Sequence, residues 1–411
     1  MQKRNRKVLL VLTLAGVILV ASGCRQKQTM KDTSAIFSHI VLDTVQGQPC
    51  VGDIDMDGLN DIIKKGEAGK EPLVLYRWTS NDTPEKHILS YDLPLRCDRI
   101  DLGDIDRDGD LDLVAGIERD SVNYIGWLEN PLPDGDPVQL NAWQYHVIAP
   151  RDGYIKDIKI ADFNHDGKPD IVTREHEITV IQYQDSPFDW PEKEVLKHES
   201  HEGMDVADMD NDGDPDIVLN GFWFESPSQP SDGDFIKHIY DSLWFTPVDS
   251  SWRDNNSSVK VADILGSKIP EILISHSELP GYPISMYTVN TVDDLKNDNW
   301  TEIRIKEQYD FCQTLDAGDI DNDGDMDILA AKFKRQPDQP IWANDPPYPV
   351  SVFYNISGDG LAWKEVILSD SSMYAGILGD VGSDGDLDII GSKSYYTGPL
   401  NMWENSVRRE P

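Results

Sequence analysis

Along most of the chain apolar and polar residues alternate with a period of two, and no stretch sustains the 3.6-residue period of an amphipathic helix. Short alternating pieces such as Ile158-Lys159-Ile160-Ala161 and Val206-Ala207 lead into Asp-rich turns. Directly after each turn comes an aliphatic pair, for example Ile62-Ile63, Ile171-Val172, Ile217-Val218 or Ile389-Ile390. A third segment is aromatic: Leu75-Tyr76-Arg77-Trp78, Tyr124-Ile125-Gly126-Trp127, Phe222-Trp223-Phe224, Asn401-Met402-Trp403. A fourth often opens near Trp or His and alternates again, as in His87-Ile88-Leu89, Tyr145-His146-Val147-Ile148 and Trp363-Lys364-Glu365-Val366-Ile367. Four short strands divided by turn residues, and then repeated, predict an all-β array.

The repeat is marked by its turn, Gly-Asp-Ile-Asp-Xaa-Asp-Gly-Xaa-Xaa-Asp in its fullest form, starting at residues 53, 104, 162, 208, 319 and 380, with a decayed copy at 263. Intervals of this size suit a unit of four strands plus loops. The last repeat stops after its third strand, near Trp403-Glu404-Asn405, whereas Phe37-Ser38-His39-Ile40-Val41-Leu42 reads as a fourth strand with no blade of its own. The expectation is a seven-bladed β-propeller over residues 36–405, closed by its N-terminal strand, because ring closure removes open sheet edges.

Positions 1, 3, 5 and 9 of the turn carry oxygen donors that converge in a tight loop, and glycine at position 6 permits a left-handed backbone. The donor sets are Asp53, Asp55, Asp57 and Asp61; Asp104, Asp106, Asp108 and Asp112; Asp162, Asn164, Asp166 and Asp170; Asp208, Asp210, Asp212 and Asp216; Asp319, Asp321, Asp323 and Asp327; and Asp380, Asp384 and Asp388. Bare carboxylates at this density repel one another, and a hard cation with flexible coordination, Ca²⁺, relieves that cost better than Mg²⁺. About six sites are expected, the seventh-blade one weaker because Gly382 stands at position 3. None is expected in the fifth, where Leu265, Ser267 and Glu271 replace the ligands. Strands in place of flanking helices, and no Glu at position 12, exclude an EF-hand.

These units resemble the FG-GAP/VCBS repeat family, the calcium-loop propellers of integrin α-chain heads and of many secreted bacterial proteins. The resemblance spans residues 36–405 and implies the propeller and its ions, but no single activity, since family members include adhesion modules, polysaccharide lyases and other sugar-modifying enzymes. It also implies that the ion turns join first to second strands on one face, leaving the other face to the second-to-third-strand and blade-joining loops.

Composition narrows the rest. Apolar residues make up 39% of the 411, enough for a real core, so a wholly disordered chain is excluded. A net charge of −37 disfavours nucleic acid and anionic lipid surfaces as partners. Lys3, Arg4, Arg6 and Lys7 precede an apolar run, Val8 to Ala21, and then Ser22-Gly23-Cys24, the layout of an export signal. The ending resembles a bacterial lipobox, with Ala21 in place of the usual Leu. The chain then divides into a lipoprotein signal peptide at 1–23, a tether at 24–35, the propeller, and a tail at 406–411. Membrane attachment would run through lipidated Cys24 only, placing the protein in the bacterial cell envelope, at the outer membrane or cell surface. The alternative is a cleaved secretion signal in which Cys24 has no role. Cys97 and Cys312 each stand seven residues before a turn, at matching places of different repeats; with Cys50 they read as small buried residues before any disulfide.

The face opposite the ion turns is the candidate site for a glycan or an envelope protein. Its loops supply Arg, Lys, His and aromatic side chains, among them Arg96, Tyr154, Lys156, Glu202, Trp244, Trp252, Lys332 and Tyr395. The alternative reading of the same loops is ordinary solvated surface. Three clusters suit general acid–base chemistry or a sugar-acting enzyme of lyase or dehydratase type: Arg174 with His176; His201; and His276 with Glu278 and Tyr282. A structural scaffold is the third possibility. The recurrent histidines His39, His87, His146 and His238, and the tryptophans Trp78, Trp127, Trp223 and Trp403, read as packing shared by the blades.

Overall fold

The computed structural model describes residues 36–407 apart from 67–70, 81–82, 230–232, 248–255, 334–346 and 396–397. The export signal, Cys24, the tether and residues 408–411 lie outside the described residues, as does Trp252. Within them, seven four-stranded antiparallel sheets follow one another as blades, and the only α-helix is the short Val292–Lys296 between the third and fourth strands of the fifth blade. No helix among the described residues is long and apolar enough to cross a membrane.

The innermost strand of each blade comes first in sequence: Gln48–Gly52, Asp101–Gly103, Asp157–Ala161, Met204–Ala207, Ser257–Ala262, Cys312–Gly318 and Tyr374–Gly379. Each runs toward the Asp-rich turn that follows it, so all seven turns lie on one face. The second strands are fully buried, as in Asp61–Lys65 and Glu271–His276. The outermost strands are mostly half-buried or exposed, as in Trp363–Ser369. This gradient explains why the aliphatic pairs follow the turns: they fill both faces of the blade's second strand and pack against neighbouring blades.

Third and fourth strands meet through a repeated aromatic contact. His39 lies opposite Trp403, His146 opposite Trp127 and His238 opposite Trp223, with ring centroids 4.9, 4.7 and 4.5 Å apart. Such pairs add about 0.5–1.5 kcal/mol each beyond area burial. The shared position of these histidines is thus a packing motif.

Closure follows the expected route. Strand Ile36–Asp43 pairs antiparallel with Leu400–Ser406, placing Phe37 opposite Asn405 and Val41 opposite Asn401, and completes the seventh blade. Its last residue, Asp43, then fastens the ring to the first blade. The carboxylate takes Lys64 Nζ at 2.7 Å, the Tyr76 hydroxyl at 2.5 Å and Lys86 Nζ at 2.9 Å. Gly47 N donates to Ser392 Oγ at 2.8 Å across the same seam. Cys50, Cys97 and Cys312 are buried and free, on the inner sides of three different blades.

Candidate functional site

Each Asp-rich turn is built by its own backbone. The position-1 carboxylate accepts from the amides of positions 5 and 6: Asp53 from Asp57 and Gly58, both at 3.0 Å, and Asp319 from Asp323 and Gly324, at 3.0 and 2.9 Å. The position-9 carboxylate ties position 2 to the residue ending the third strand. Asp112 accepts from Ile105 N at 3.0 Å and Asn130 N at 2.9 Å; Asp327 accepts from Ile320 N at 3.1 Å and Asn355 N at 2.9 Å. Two left-handed residues bend the loop, one at position 6, such as Gly109 with φ 104°, and one at position 4, such as Arg107 with φ 64°.

The remaining carboxylates converge without enough donors. Ligand oxygens of Asp53, Asp55 and Asp57, of Asp104, Asp106 and Asp108, of Asp208, Asp210 and Asp216, and of Asp319, Asp321 and Asp327 approach within 4.8 Å of one another. Buried oxygens of Asp104 and Asp321 have no hydrogen-bond partner among the described residues. Burial, reinforced by neighbouring carboxylates, pushes Asp112, Asp216 and Asp327 up to about 8 despite their amide bonds. Crowded, orphaned oxygen donors fit a metal ion. Turns 3 and 7 show no such three-acid cluster: Asn164 stands in one, and Gly382, φ 76°, in the other. In turn 5 Glu271 accepts from Ile264 N and Leu265 N, and no acidic cluster forms.

Protein cations already touch some of these turns. Arg77 bonds Asp55 and lies 3.3 Å from Asp57. Lys296, on the short helix, reaches Asp210 at 2.6 Å and Glu225 at 2.8 Å.

The inner strands surround a channel with a cavity of about 470 Å³. At its mouth, on the face opposite the turns, Asp98, Lys156, Glu202, Gln313 and Tyr374 stand at corresponding places, six residues before their turns. Lys156 Nζ lies 2.8 Å from Asp98 and 3.5 Å from Glu202, and Asp98 also accepts from the Tyr154 hydroxyl at 2.8 Å. Burial alone would raise Asp98, but Lys156 and Tyr154 hold it below the usual carboxylate range. Gln313 Nε2 donates to Glu202 at 3.1 Å and Glu278 at 3.2 Å. Arg99 lies over the Tyr374 ring at 5.8 Å.

Three residues deeper runs a belt of alternating charge: Asp101, Lys159, Asp205, Lys260 and Asp316, from five consecutive blades. Lys159 meets Asp205 at 2.9 Å and Lys260 meets Asp316 at 3.0 Å. Asp205 and Asp316 also accept from Val261 N and Leu378 N of the next blades, both at 2.9 Å. At the same place blades 7 and 1 carry Ile377 and Cys50. At this depth the channel wall is therefore a polar crescent on blades 2 to 6 and apolar on blades 7 and 1. The signal for the belt was present in the sequence: an acid, a lysine, an acid, a lysine and an acid, each three residues before a turn.

The opposite-face residues fall into two groups. Tyr154, Lys156, Glu202 and Gln313 meet at the mouth. His176 and His201 face each other with ring centroids 5.7 Å apart, and His201 lies 3.5 Å from Glu177. Burial, with Lys156 and His201 nearby, lowers His176. Arg174 is wholly buried, bonding the Gly203 carbonyl, Ser200 Oγ at 2.6 Å and Asn220 Oδ1 at 3.0 Å, so it braces the loop that carries His201 and Glu202. His276 is buried within its own loop. Its Nδ1 accepts from Glu278 N and Leu279 N, both at 3.1 Å, and its ring packs on Tyr282 at 4.4 Å. The cations expected on this face are largely paired, since Lys156, Arg96 and Lys332 each lie within 4 Å of an acid.

A family model described as an FG-GAP-like repeat matches residues 104–173 and 162–219. No curated protein matches the chain. Among solved structures, an Agrocybe aegerita lectin described as specifically recognising non-reducing terminal N-acetylglucosamine is similar at 13% identity and a TM-score of 0.51, over 80% of this chain and 81% of that one. A Photorhabdus luminescens Tc holotoxin pore is similar at 13% identity and a TM-score of 0.35, over 88% of this chain but only 17% of its own. At 13% identity the likeness to the lectin is one of fold.

Proposed function

We propose that this seven-bladed propeller of FG-GAP-like repeats is an exported glycan-binding protein, attached to a bacterial envelope through Cys24, with calcium in its Asp-rich turns. The observation that carries the binding reading is the two-sided channel. A sugar ring presents hydroxyls at its edge and C–H groups on its faces. The mouth offers carboxylate, amide, ammonium and phenol groups on one side, above an apolar wall on blades 7 and 1. The similarly folded Agrocybe aegerita lectin is described as recognising a sugar, which is in keeping with this reading. Calcium would be held by the position 1, 3, 5 and 9 oxygens and would screen carboxylates that otherwise repel. Binding is favoured over catalysis because Arg174 is committed to bracing the neighbouring blade-joining loop and His276 to amides of its own loop, so that of the three candidate histidines only His176 and His201 stand side by side.

The test is calorimetric titration of the mature chain with neutral and uronic-acid oligosaccharides, beside Lys156→Met and Glu202→Gln. One glycan class should bind, and both substitutions should weaken it about tenfold or more. No binding across the panel, or binding indifferent to both substitutions, would sink the reading. Absorbance from an unsaturated sugar product in the same mixtures would move the protein to the lyases.

A further inference from the structure

The seven turns are not equivalent, and the seams between them show why. The position-7 acid of one turn meets the position-4 residue of the turn before it. Asp214 is bonded by His165, and Asp386 accepts from Asn322 Nδ2 at 2.6 Å. Between turns 1 and 2 the position-4 residue is Met56, which has no donor on its side chain and is 59% exposed. The facing acid, Asp110, is 3% exposed, and neither of its carboxylate oxygens has a hydrogen-bond partner among the described residues. Burial pushes its carboxyl up to about 7, and the neighbouring charges of Asp108, Asp106 and Asp104 push the same way. A buried carboxylate pressed against three others is very costly unless a cation meets it.

We propose that Asp110 is a fifth carboxylate ligand of the second turn, and that this turn holds its ion more firmly than the fourth. The inference rests on the calcium reading of the turns. Ligand charge count, together with site rigidity, sets calcium affinity in oxygen-ligand loops. Turn 4 is the counterexample within the same molecule, because Lys296 occupies Asp210 and His165 takes Asp214. Its ion would meet fewer uncommitted negative charges and leave first.

Asp110→Asn in the full mature chain tests this, with chelator-competition titration of calcium and thermal melting with and without the ion. One calcium site should weaken by about tenfold or more while the others keep their affinity. The melting shifts should differ in sign: higher than the parent under chelation, where an orphan charge has been removed, and lower than the parent in calcium. Unchanged affinity, or an equal loss of stability in both conditions, would overturn the proposal and leave Asp110 a structural residue. A parent chain that binds no calcium would overturn the ion reading as well; a parent that binds while the variant is unaffected would overturn this inference alone.

Discussion

Turns 5 and 6 are adjacent in the ring and share a backbone, yet differ in chemistry. Turn 6 bends at Asn322 and Gly324, with φ 55° and 99°. Turn 5 bends at the same two positions with Gly266 and Lys268, φ 66° and 72°. Both are tied at position 9, by Asp327 in one and Glu271 in the other. Turn 6 adds Asp321 and Asp323 where turn 5 has Leu265 and Ser267. The turn's shape therefore does not require a carboxylate cluster. The additional acids are surplus to folding the loop, and ion binding is the role proposed for them.

The largest expected effect attacks that assignment directly. Chelation should lower the melting temperature on the order of 10 °C, because several sites each contribute binding free energy to the native state alone. Calorimetric scans in calcium and in chelator measure it, and superimposable scans would remove the distinction between the two turns. Next is the seam that uses no ion. Asp43→Ala should cost about 3–5 kcal/mol, since it strands the buried Lys64 ammonium. Urea denaturation should show nearly the same loss with and without chelator. Burial opposes ionisation of Asp43, but Lys64, Tyr76 and Lys86 overcome it and hold the carboxyl well below its usual range. The unfolded chain therefore takes up this proton first, so the stabilisation is full above pH ~4 and falls away on further acidification. The parent should lose more stability than Asp43→Asn in that acid window; parallel profiles would contradict the pairing.

Smaller effects divide shape from ion. Glu271→Ala should cost about 1–3 kcal/mol through two stranded amides, whether or not calcium is present. Asp321→Ala should reduce stability in calcium and leave the chelated protein nearly unchanged. If both variants respond to calcium alike, turns 5 and 6 are not the contrast described. The smallest expectation concerns Lys296→Met, which frees Asp210 and should raise the affinity of one weak site by a factor of a few, read by the same competition titration.

The blades and their closure were legible because the signals are local and repeated: a turn formula, an aliphatic pair, a Trp and a His at constant offsets. The left-handed residue at position 4 was not, since only Asn211 and Asn322 are of a type that favours that conformation, whereas Met56, Arg107, His165 and Ser383 have it imposed by the loop. The mouth was legible in part. Lys156 and Glu202 stood out as charged loop residues, whereas their partners Asp98 and Gln313 lie far away in sequence and join them only once the ring is formed. Arg174 read as a candidate site residue of the opposite-face loops, but the second strand that carries it is covered by its neighbours to its last residue.

The strand Ile36–Asp43 has a further consequence, one of timing. It precedes every blade in the chain, yet its hydrogen-bonding partner, Leu400–Ser406, follows six of them. A ribosome delivers the first of these segments long before the second, so the earliest β-strand has to remain unpaired until nearly the whole polypeptide has emerged. Throughout that interval its edge is open to the equivalent segment of another copy, making exchange between two half-finished rings the characteristic misassembly of this architecture.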